Sequence, residues 1–562
     1  MATRKPNLLL IQADQLAPQF LAAYGHPLVK TPNIDRLAEQ GVVFDAAYTN
    51  APLCAPSRFV MMSGRLPSRI AAWDNAVEFS SEIPTFAHYL SAEGYRTCLS
   101  GKMHFIGPDQ LHGFGERLTT DVYPADFTWH PEWDRPNAKL DWYHNMEVVT
   151  KAGICTRAMY MDYDDEVIFR AKRFLFDHAR EDPERPFLLT VSMIQPHDPY
   201  LCREEHWNLY RDDEIDLPRV PLGSVEEDPH SARLRFSYGA SELDLEEETI
   251  RDARHAYYGS ISDIDDRVGE LLKALEGAGF RDNTIVVFTS DHGDMLGERG
   301  MWFKMSFLEN SSRVPLIISS PSGFNSGRVN SAVSLVDLLP TLDEFARDGL
   351  ARDYPTPIEG RSLLPHLSRS KGHDEVFGEY FAEGTTEPIY MIRRGGKKLI
   401  YSENDPTQYY DLTIDPLETN NLALNTDFQA EVTDLIGEIE NRYDHEALIK
   451  RVLESQRRRR FLKNIMRDQS ISWDYQHVEN GGDAYIRNTM PIYQLEKKVS
   501  LSPGVSQLKI EKRSRFILKQ IREFPGFLHP PRRPDLVQQE QNRFHFWNVA
   551  DNRQCVRCSS HS

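Results

Sequence analysis

The chain has 562 residues, of which 40% are hydrophobic and 10% aromatic, a composition typical of a globular protein rather than a disordered one. This length favours a large domain plus a smaller unit over one small domain. The 84 acidic and 65 basic side chains give a formal net charge of -19, which disfavours a nucleic-acid partner because like charges repel.

The N-terminal segment combines two cations with a short apolar run at residues 8–11 that stops at Gln12 and Asp14. This pattern predicts a buried first strand rather than a signal peptide, and no apolar run approaches the roughly 18 residues of a membrane span. We therefore expect a cytoplasmic protein with no membrane partner. The six cysteines are too few and too scattered for a disulfide framework, and the lone C-x-x-C pair Cys555 and Cys558 is a weak indication of zinc.

Strand-like apolar runs recur along the first 320 residues, with helical patterns between them. The strand-like runs cover residues 8–11, 187–194, 284–289 and 315–319, and the helical patterns include 34–40 and 261–275. This alternation predicts an α/β fold with a large, mainly parallel sheet flanked by helices. Because such sheets bind ligands at the carboxyl ends of their strands, Asp14, His197 and the Asp291-His292 pair become candidate site residues.

From about residue 375 the pattern changes to short strands and turns. Gly395-Gly396 separates two strand-like runs and predicts a hairpin, and a helix over 427–442 is expected to close a small antiparallel sheet. The four arginines at 457–460 favour a solvated or subunit-facing surface. Residues 499–562 carry eleven Lys or Arg against five Asp or Glu, and we expect little regular packing there.

The most informative motif is Cys54-Ala55-Pro56-Ser57-Arg58. It has the C-x-P-x-R pattern that a modifying enzyme reads to oxidise the cysteine to formylglycine, an aldehyde. One hydroxyl of the hydrated aldehyde can attack sulfur, and the other can later expel sulfate by re-forming the carbonyl, which a thiol cannot do. Arg58 fits the modification signal and could also hold the deprotonated diol by charge. The alternative is a chance match around a buried, unmodified cysteine.

Asp14, Asp291 and His292 could share one divalent metal with residue 54. The aspartates follow different strands, so they are expected at the same edge of the sheet. Carboxylates with one imidazole suit Ca²⁺, with Mg²⁺ or Mn²⁺ as alternatives. An Asp-His pair alone is also common in turns, but the run at residues 289–298 is more specific than that.

Four further cations or acids follow strands or lie beside glycine turns. Lys102 and His104 alternate after Gly101, so both face one side if the segment is extended. His197 and Lys304 are the other two. Each alone is more often a surface lysine or a hydrogen-bonded core histidine, whereas the four together favour a site that gathers an anion.

These residues resemble the type I sulfatases of the alkaline phosphatase superfamily from Asn7 to about Leu422. The motifs that carry the resemblance are the modification signal, Gly101-Lys102-Met103-His104, residues 289–298 and Tyr410-Asp411-Leu412. Within that family the chain is most similar to the choline-sulfatases, on residues 12–15, 121–129 and 141–146.

The resemblance implies an alkaline-phosphatase-like sandwich with a small C-terminal antiparallel sheet and an extended C-terminal arm. The implied regions are a catalytic α/β domain at 1–370, a small α+β subdomain at 371–445, a helix and oligomerisation arm at 446–498, and a basic, poorly ordered extension at 499–562. The arm implies a homo-oligomer, a dimer or tetramer. The modification signal implies a formylglycine-generating enzyme as a partner.

The resemblance also implies a role for each candidate residue. Asp14, Asp291, His292 and residue 54 would bind the metal. Arg58, Lys102, His197 and Lys304 would steady the nucleophile and the sulfate. His104 would protonate the leaving oxygen, and Asn75 would contact the sulfate. Gln15 stands where many sulfatases have a second aspartate, and His292 where many have asparagine; the choline-sulfatases show the same substitutions.

Aromatic residues are concentrated between residues 121 and 143, namely Tyr123, Phe127, Trp129, Trp133, Trp142 and Tyr143. A quaternary ammonium cannot donate hydrogen bonds, so it is recognised by aromatic faces and carboxylates. We expect Trp129 and His144 to form the walls of such a site, with Glu379 or Glu383 as the counter-charge. The alternative is that the aromatic cluster only packs a long loop.

The resulting hypothesis is an enzyme that cleaves choline-O-sulfate to choline and inorganic sulfate through a covalent sulfo-enzyme. One alternative is a phosphonate monoester or phosphodiester hydrolase, since a metal–nucleophile centre also accepts phosphoryl groups. The other is a non-catalytic scaffold whose Cys54 is never oxidised.

Overall fold

The computed structural model of the chain describes residues 4–123, 126–136, 144–321 and 323–468. Trp142, Tyr143, residues 469–498 of the predicted helix and oligomerisation arm, the basic extension and the Cys555 and Cys558 pair lie outside the described residues. In the part of the chain that is described, no helix is both long enough and apolar enough to cross a membrane.

Strands and helices alternate up to residue 346, and short strands with two longer helices follow. The strands are β1 (Asn7–Ala13), β2 (Gly41–Tyr48), β3 (Arg96–Gly101), β4 (Glu116–Arg117), β5 (Gly153–Ile154), β6 (Phe187–Ser192), β7 (Leu201–Cys202), β8 (Thr284–Ser290), β9 (Leu316–Ser319), β10 (Gly327–Ser334), β11 (Glu375–Tyr380), β12 (Ile389–Arg394), β13 (Lys397–Tyr401) and β14 (Gln408–Asp411). The α-helices are α1 (Pro32–Gln40), α2 (Cys54–Ser63), α3 (Pro67–Ile70), α4 (Phe86–Ala92), α5 (Glu147–Thr150), α6 (Met159–Glu181), α7 (Glu204–Trp207), α8 (Pro229–Ser237), α9 (Glu247–Gly277), α10 (Glu309–Ser312), α11 (Leu338–Ala346), α12 (Leu364–Leu367), α13 (Gln429–Arg442) and α14 (His445–Asp468).

The large sheet has, among the described residues, the strand order β10-β2-β9-β8-β1-β6-β3-β4. Its neighbouring strands are parallel except at β9, which runs antiparallel to β2 and to β8. The prediction of a large, mainly parallel sheet is therefore confirmed. The strand β1 lies inside it and reads as a continuous apolar run because both of its faces are covered: Leu9 and Ile11 belong to one core, Leu8 and Leu10 to the other.

The parallel register brings several strand ends to one edge of the sheet. Gln12 of β1 pairs with Ser192 of β6, Ala13 pairs with Ser290 of β8, and Gly101 of β3 also pairs with Ser192. The residues that follow these strands therefore start from neighbouring positions, as the sequence predicted for this edge.

The strands β11 to β14 form a separate antiparallel sheet in chain order, so the predicted small C-terminal sheet is confirmed. The Gly395-Gly396 turn joins β12 to β13, and Gly395 has a φ of 53°, a conformation that favours glycine. The helix α13 packs its buried residues Val432, Leu435 and Ile439 into the same core as this sheet.

The four arginines at 457–460 lie on α14, and they do not share one environment. Arg457 and Arg458 are exposed, as predicted for a solvated surface. The prediction is wrong for Arg459, which is buried and paired with Asp74. Consecutive helical residues point in different directions, about 100° apart, so a run of like charges cannot all face solvent when one side of the helix packs.

Candidate active site

Cys54 is the first residue of α2, and it follows the extended residue Leu53. Pro56 lies in the first turn of this helix, where its missing N–H leaves no helical hydrogen bond unmade. The thiol is buried. Its Sγ lies 3.3 Å from Nε2 of His292 and 4.0 Å from Oδ1 of Asp14.

The structure brings together the four residues proposed to share a metal. Asp14 follows β1, Asp291 and His292 follow β8, and Cys54 begins α2. One ligand atom from each of the four lies within 4.8 Å of the others, and all four side chains are buried. Three distant segments of the chain thus meet at one point.

The contacts of His292 indicate which of its two ring nitrogens could bind a metal. Nδ1 lies 3.0 Å from the carbonyl oxygen of Gly293, so Nδ1 carries the hydrogen and Nε2 carries the lone pair. Nε2 lies 3.8 Å from Oδ1 of Asp14 and 3.7 Å from Oδ2 of Asp291. A lone pair and two carboxylates that converge in this way are stabilised by a cation between them, so the donor set fits a divalent metal.

The pKa of His292 agrees with this electrostatic environment. Burial alone would lower the pKa of the imidazole, but the negative charge of Asp291 and the sulfur of Cys54 raise it above its ordinary value. The cluster therefore attracts positive charge at Nε2, the position at which a metal would bind.

Arg58 bridges the two carboxylates of the cluster. Its Nε lies 2.9 Å from Oδ2 of Asp291 and its Nη2 3.2 Å from Oδ2 of Asp14. Its Nη1 donates to the carbonyl of Lys102 at 2.6 Å and to Oγ of Ser192 at 2.8 Å. Burial would lower the pKa of this guanidinium, yet the two aspartates raise it. Arg58 therefore holds the carboxylates of Asp14 and Asp291 in place.

The position of Lys102 depends on the residue before it, Gly101, where a side chain would clash with the backbone. Gly101 has a φ of 117°, and a Cβ there would lie 1.9 Å from the carbonyl oxygen of Ser192. The ammonium of Lys102 contacts the Asp14 carboxylate and lies 4.1 Å from the ring centroid of Tyr123. Burial would lower the pKa of Lys102, but Asp14 and the sulfur of Cys54 raise it.

His104 lies close to Lys102 in the chain, but the segment that carries both residues is not extended, contrary to what their alternation had suggested. His104 has a φ of 57°, an uncommon conformation for a residue other than glycine. The carboxylate of Asp121 holds the turn, because Oδ2 accepts from the N–H of Met103 at 3.0 Å and from that of His104 at 2.8 Å. Burial lowers the pKa of His104, and the Cys54 sulfur opposes only part of that shift.

The second lysine completes a positive environment at residue 54. Nζ of Lys304 lies 2.6 Å from Oε1 of Gln15 and 2.8 Å from Nε2 of His197. Burial would raise the pKa of the Cys54 thiol, but Lys102, Lys304 and His292 together hold it well below its ordinary value. The site therefore stabilises negative charge at residue 54 and on any anion beside it.

A cavity of about 340 Å³ opens from Cys54. The described residues that line it are Cys54, Asn75, Val122, Tyr123, Trp129, His144, Asn145, Val148, Met159, Tyr160, His197, Asp198, Pro199 and Lys304. Trp129 and Tyr123 have ring centroids 4.8 Å apart, and His144 stacks on Phe303 at 4.2 Å. Trp129 and His144 thus both lie in the wall of this cavity.

Asn75 contacts the helix that carries residue 54. Its Oδ1 accepts from the N–H of Ala55 at 2.9 Å, and its side chain also lines the cavity. Asn75 is therefore positioned to contact a group bound at residue 54.

Sequence reasoning missed the role of Asp198. Its carboxylate lies 3.2 Å from Nδ1 of His197 and 3.3 Å from Nδ1 of His144, so it connects two of the predicted site residues. His197, His144 and Lys304 lower the pKa of Asp198 despite its burial. The only signal in the sequence was its position next to His197.

Glu379 and Glu383 do not line this cavity among the described residues. Glu379 accepts from the N–H of Ser68 at 2.6 Å and from the hydroxyl of Tyr443 at 2.6 Å, which favours a structural role. Glu383 is buried, and its Oε1 has no hydrogen-bond partner among the described residues. Burial and the nearby charge of Asp74 raise the pKa of Glu383 to about 8.

Comparison with known proteins gives consistent matches along the chain. Residues 6–347 match the sulfatase family, residues 297–445 match the C-terminal region of N-sulphoglucosamine sulphohydrolase, and residues 450–499 match the C terminus of the choline sulfatase enzyme. The chain is 44% identical over 508 residues to the choline-sulfatase of Rhizobium meliloti (strain 1021), covering 88% of this chain and 98% of that protein. It is 29% identical over 469 residues to an arylsulfatase of Clostridium perfringens (strain 13 / Type A), covering 78% and 95%.

Solved structures share the fold. The phosphonate monoester hydrolase of Agrobacterium radiobacter superposes with a TM-score of 0.63 at 24% identity, covering 80% of this chain and 96% of that one. The complex of BT4656 with its substrate D-glucosamine-2-N,6-O-disulfate superposes with a TM-score of 0.61 at 23% identity, covering 78% and 98%. At these identities the likeness concerns the fold alone.

Proposed function

Because this chain belongs to the sulfatase family, we propose that it hydrolyses choline-O-sulfate to choline and inorganic sulfate. One observation carries the proposal: a buried cluster that stabilises negative charge at residue 54 opens directly into a cavity walled by Trp129 and His144. The cluster suits the sulfate ester and the aromatic wall suits a quaternary ammonium. The similarity to a choline-sulfatase over most of the chain supports the same substrate.

Asp14, Asp291, Nε2 of His292 and residue 54 would hold the divalent metal, which we propose to be Ca²⁺, with Mg²⁺ or Mn²⁺ as alternatives. When bound, the metal supplies positive charge close to the sulfuryl oxygens. Oxidation of Cys54 to formylglycine by a formylglycine-generating enzyme would supply the hydroxyl nucleophile.

The fixed cations gather the sulfate and favour charge developing on it. Lys102 and Lys304 are both fully buried, so their charges are little screened by water. Lys304 is oriented by Gln15 and His197, and Lys102 by Asp14. Asn75, which lines the same cavity as Lys304, adds a neutral polar contact.

His104 is our proposed proton donor for the leaving oxygen. Choline leaves as an alkoxide, a strong base, so protonation of the oxygen accelerates its departure. The His104 ring lies against the rings of Tyr123 and Trp129, with centroids 5.2 and 5.8 Å away. The imidazole therefore contacts the aromatic wall, and it also interacts with the sulfur of Cys54.

The ammonium end is assigned to Trp129 and His144, with Glu383 in its ionised form as the counter-charge. Glu383 does not line the cavity among the described residues, but its carboxyl interacts electrostatically with Lys304, which does. Burial and the charge of Lys304 lower the pKa of His144 to about 4, so its imidazole is neutral near pH 7 and does not repel a cation. Glu383 is favoured over Glu379 because the Oε1 of Glu383 has no hydrogen-bond partner among the described residues, whereas Glu379 is bound to Ser68 and Tyr443.

Two measurements test the function. The first compares kcat/KM for choline-O-sulfate with kcat/KM for an aryl phosphonate monoester; we expect the sulfate ester to be preferred, and a clear preference for the phosphonate would contradict the substrate assignment. The second is the intact mass of the peptide that contains residue 54 from natively expressed protein. An aldehyde or its hydrate is expected, whereas an unmodified thiol would favour the scaffold.

The match at residues 450–499 supports our further proposal that the chain forms a homo-oligomer. Its size can be measured by light scattering, and a monomer at micromolar concentration would contradict it.

A further inference from the structure

One face of α14 is buried although the helix is rich in charge. Val452, Gln456 and Arg459 are buried, whereas the intervening Arg457 and Arg458 are exposed. Buried residues at intervals of three and four define a single face of an α-helix. Two of the three are polar, so this face is specified by hydrogen bonds as well as by apolar packing.

Arg459 reaches the wall of the active-site cavity through a buried ion pair. Its Nη1 and Nη2 lie 2.6 and 2.7 Å from the two carboxylate oxygens of Asp74. Asp74 directly precedes Asn75, which lines the cavity and accepts from the N–H of Ala55. A bidentate pair of this kind fixes orientation as well as distance, so the position of Asn75 depends on α14.

The same helix holds the loop that carries Trp129. Nζ of Lys463 lies 3.0 Å from the carbonyl oxygen of Thr128, the residue before Trp129. Oε1 of Gln456 accepts from the N–H of Trp133 at 2.8 Å. Arg460 makes two hydrogen bonds to the carboxylate of Asp134, at 2.9 and 2.8 Å. Three side chains of α14 therefore bind three positions along residues 128–134.

We propose that α14 positions Trp129 and Asn75, and that this helix thereby determines the preference for a sulfate ester that bears a quaternary ammonium. This inference rests on the proposed function. In the described part of the chain, no α14 side chain lines the cavity, so Lys463 and Arg459 are positioning residues that act through Trp129 and Asn75. The helix holds the aromatic wall in place relative to residue 54, so that one substrate can present its ammonium to the wall and its sulfate to residue 54.

The main test uses Lys463→Met, with Arg458→Ala as the matched control on the exposed side of the same helix. The specificity ratio is kcat/KM for choline-O-sulfate divided by kcat/KM for 4-nitrophenyl sulfate. We expect Lys463→Met to lower this ratio about threefold to tenfold, mainly through a higher KM for choline-O-sulfate, because one charge-assisted hydrogen bond to the loop is lost. Arg458→Ala should leave the ratio unchanged, and Lys463→Arg, which keeps a donor, should restore most of it.

A double-mutant cycle tests whether the helix acts through Trp129. In the Trp129→Ala background, Lys463→Met should change the specificity ratio less than twofold, because the residue that it positions is already absent. Equal effects of Lys463→Met in both backgrounds would overturn the inference. So would an unchanged ratio in the single variant.

Amide hydrogen exchange separates this inference from the proposed function. Exchange in residues 126–133 should be faster in Lys463→Met than in the control variant, whatever the substrate. Unchanged exchange would overturn the positioning role while choline-O-sulfate turnover by the unaltered protein still supported the proposed function. Faster exchange in an enzyme that does not prefer choline-O-sulfate would overturn the specificity claim and the proposed function together.

Discussion

The Sγ atom of Cys54 lies 3.3 Å from Nε2 of His292, although the two residues are 238 positions apart in the chain. Cys54 begins α2 and His292 follows β8. The strand that precedes α2, β2, and the strand β8 both pair with the antiparallel strand β9, so strand pairing in the sheet brings the proposed nucleophile close to a proposed metal ligand.

Replacing Cys54 by alanine should abolish turnover while leaving the fold intact. Alanine has no atom that can be converted to the nucleophile, so we expect kcat to fall by roughly 10⁴-fold or more. The measurement is kcat together with the far-UV circular dichroism spectrum and the Tm. Cys98→Ala is the matched control, because Cys98 is also buried but lies within β3. Equal activity in the two variants would remove Cys54 from the mechanism.

Removal of divalent metal should lower both activity and stability. Asp14 and Asp291 are fully buried, and a ligand that binds only the folded state stabilises it by roughly 2.7 kcal/mol at a free concentration of 100 Kd. We expect dialysis against EDTA to abolish turnover and lower the Tm by several degrees. Adding back Ca²⁺, Mg²⁺ and Mn²⁺ separately identifies the metal. Full activity in metal-free protein would contradict the assignment of this cluster.

Trp129→Ala should weaken the binding of choline-O-sulfate more than the binding of small aryl sulfates. A cation over a desolvated indole face contributes about 0.5 to 2 kcal/mol, so we expect KM for choline-O-sulfate to rise about twofold to thirtyfold. Trp129→Phe keeps an aromatic face and should lose less. Equal losses on choline-O-sulfate and on 4-nitrophenyl sulfate would show that Trp129 supports the whole cavity rather than the ammonium.

The raised pKa of Glu383 predicts that KM for choline-O-sulfate falls as the pH rises. Burial and Asp74 raise its pKa to about 8, so its carboxyl is neutral below that pH and becomes an anion above it. A quaternary ammonium prefers the anion, and KM for choline-O-sulfate should therefore fall as pH rises from 7 to 9. Glu383→Gln should remove this trend in KM. A KM that is flat in the unaltered enzyme would argue against Glu383 as the counter-charge.

The same raised pKa has a consequence for stability. The folded state keeps the Glu383 proton up to about pH 8, whereas an unfolded glutamate loses it near pH 4 to 5. The free energy of unfolding contributed by this group is therefore fully present below the unfolded pKa and is lost as pH rises toward 8. Glu383→Gln should be less sensitive than the unaltered protein over that interval, as measured by urea unfolding at several pH values.

Asp121→Asn should reduce kcat without removing any group that touches the substrate. The Asp121 carboxylate holds the N–H groups of Met103 and His104 in a turn where His104 has a positive φ. A neutral amide accepts these hydrogen bonds more weakly, so the imidazole is less well positioned. We expect kcat to fall about tenfold for choline-O-sulfate. The fall should be smaller for 4-nitrophenyl sulfate, whose leaving group is a weaker base that needs less protonation.

Much of the fold was determined by local patterns in the sequence. The strands β1, β6, β8 and β9 cover or overlap the predicted runs, because a strand buried on both faces must be continuously apolar. The hairpin at Gly395 was predictable because its backbone conformation favours glycine. The motif at Cys54 and the aspartates after β1 and β8 were also visible, since each is a short local pattern that ends a strand or begins a helix.

Tertiary structure alone decided which of these groups meet. The 3.3 Å separation of Cys54 and His292, the bridge that Arg58 makes between Asp14 and Asp291, and the contact of Asp198 with both His144 and His197 all join distant segments. The position of Arg459 was mispredicted because a run of arginines does not reveal which one faces a buried aspartate. A sequence specifies residue type and spacing along one chain, whereas distances across the molecule follow from strand register and helix packing.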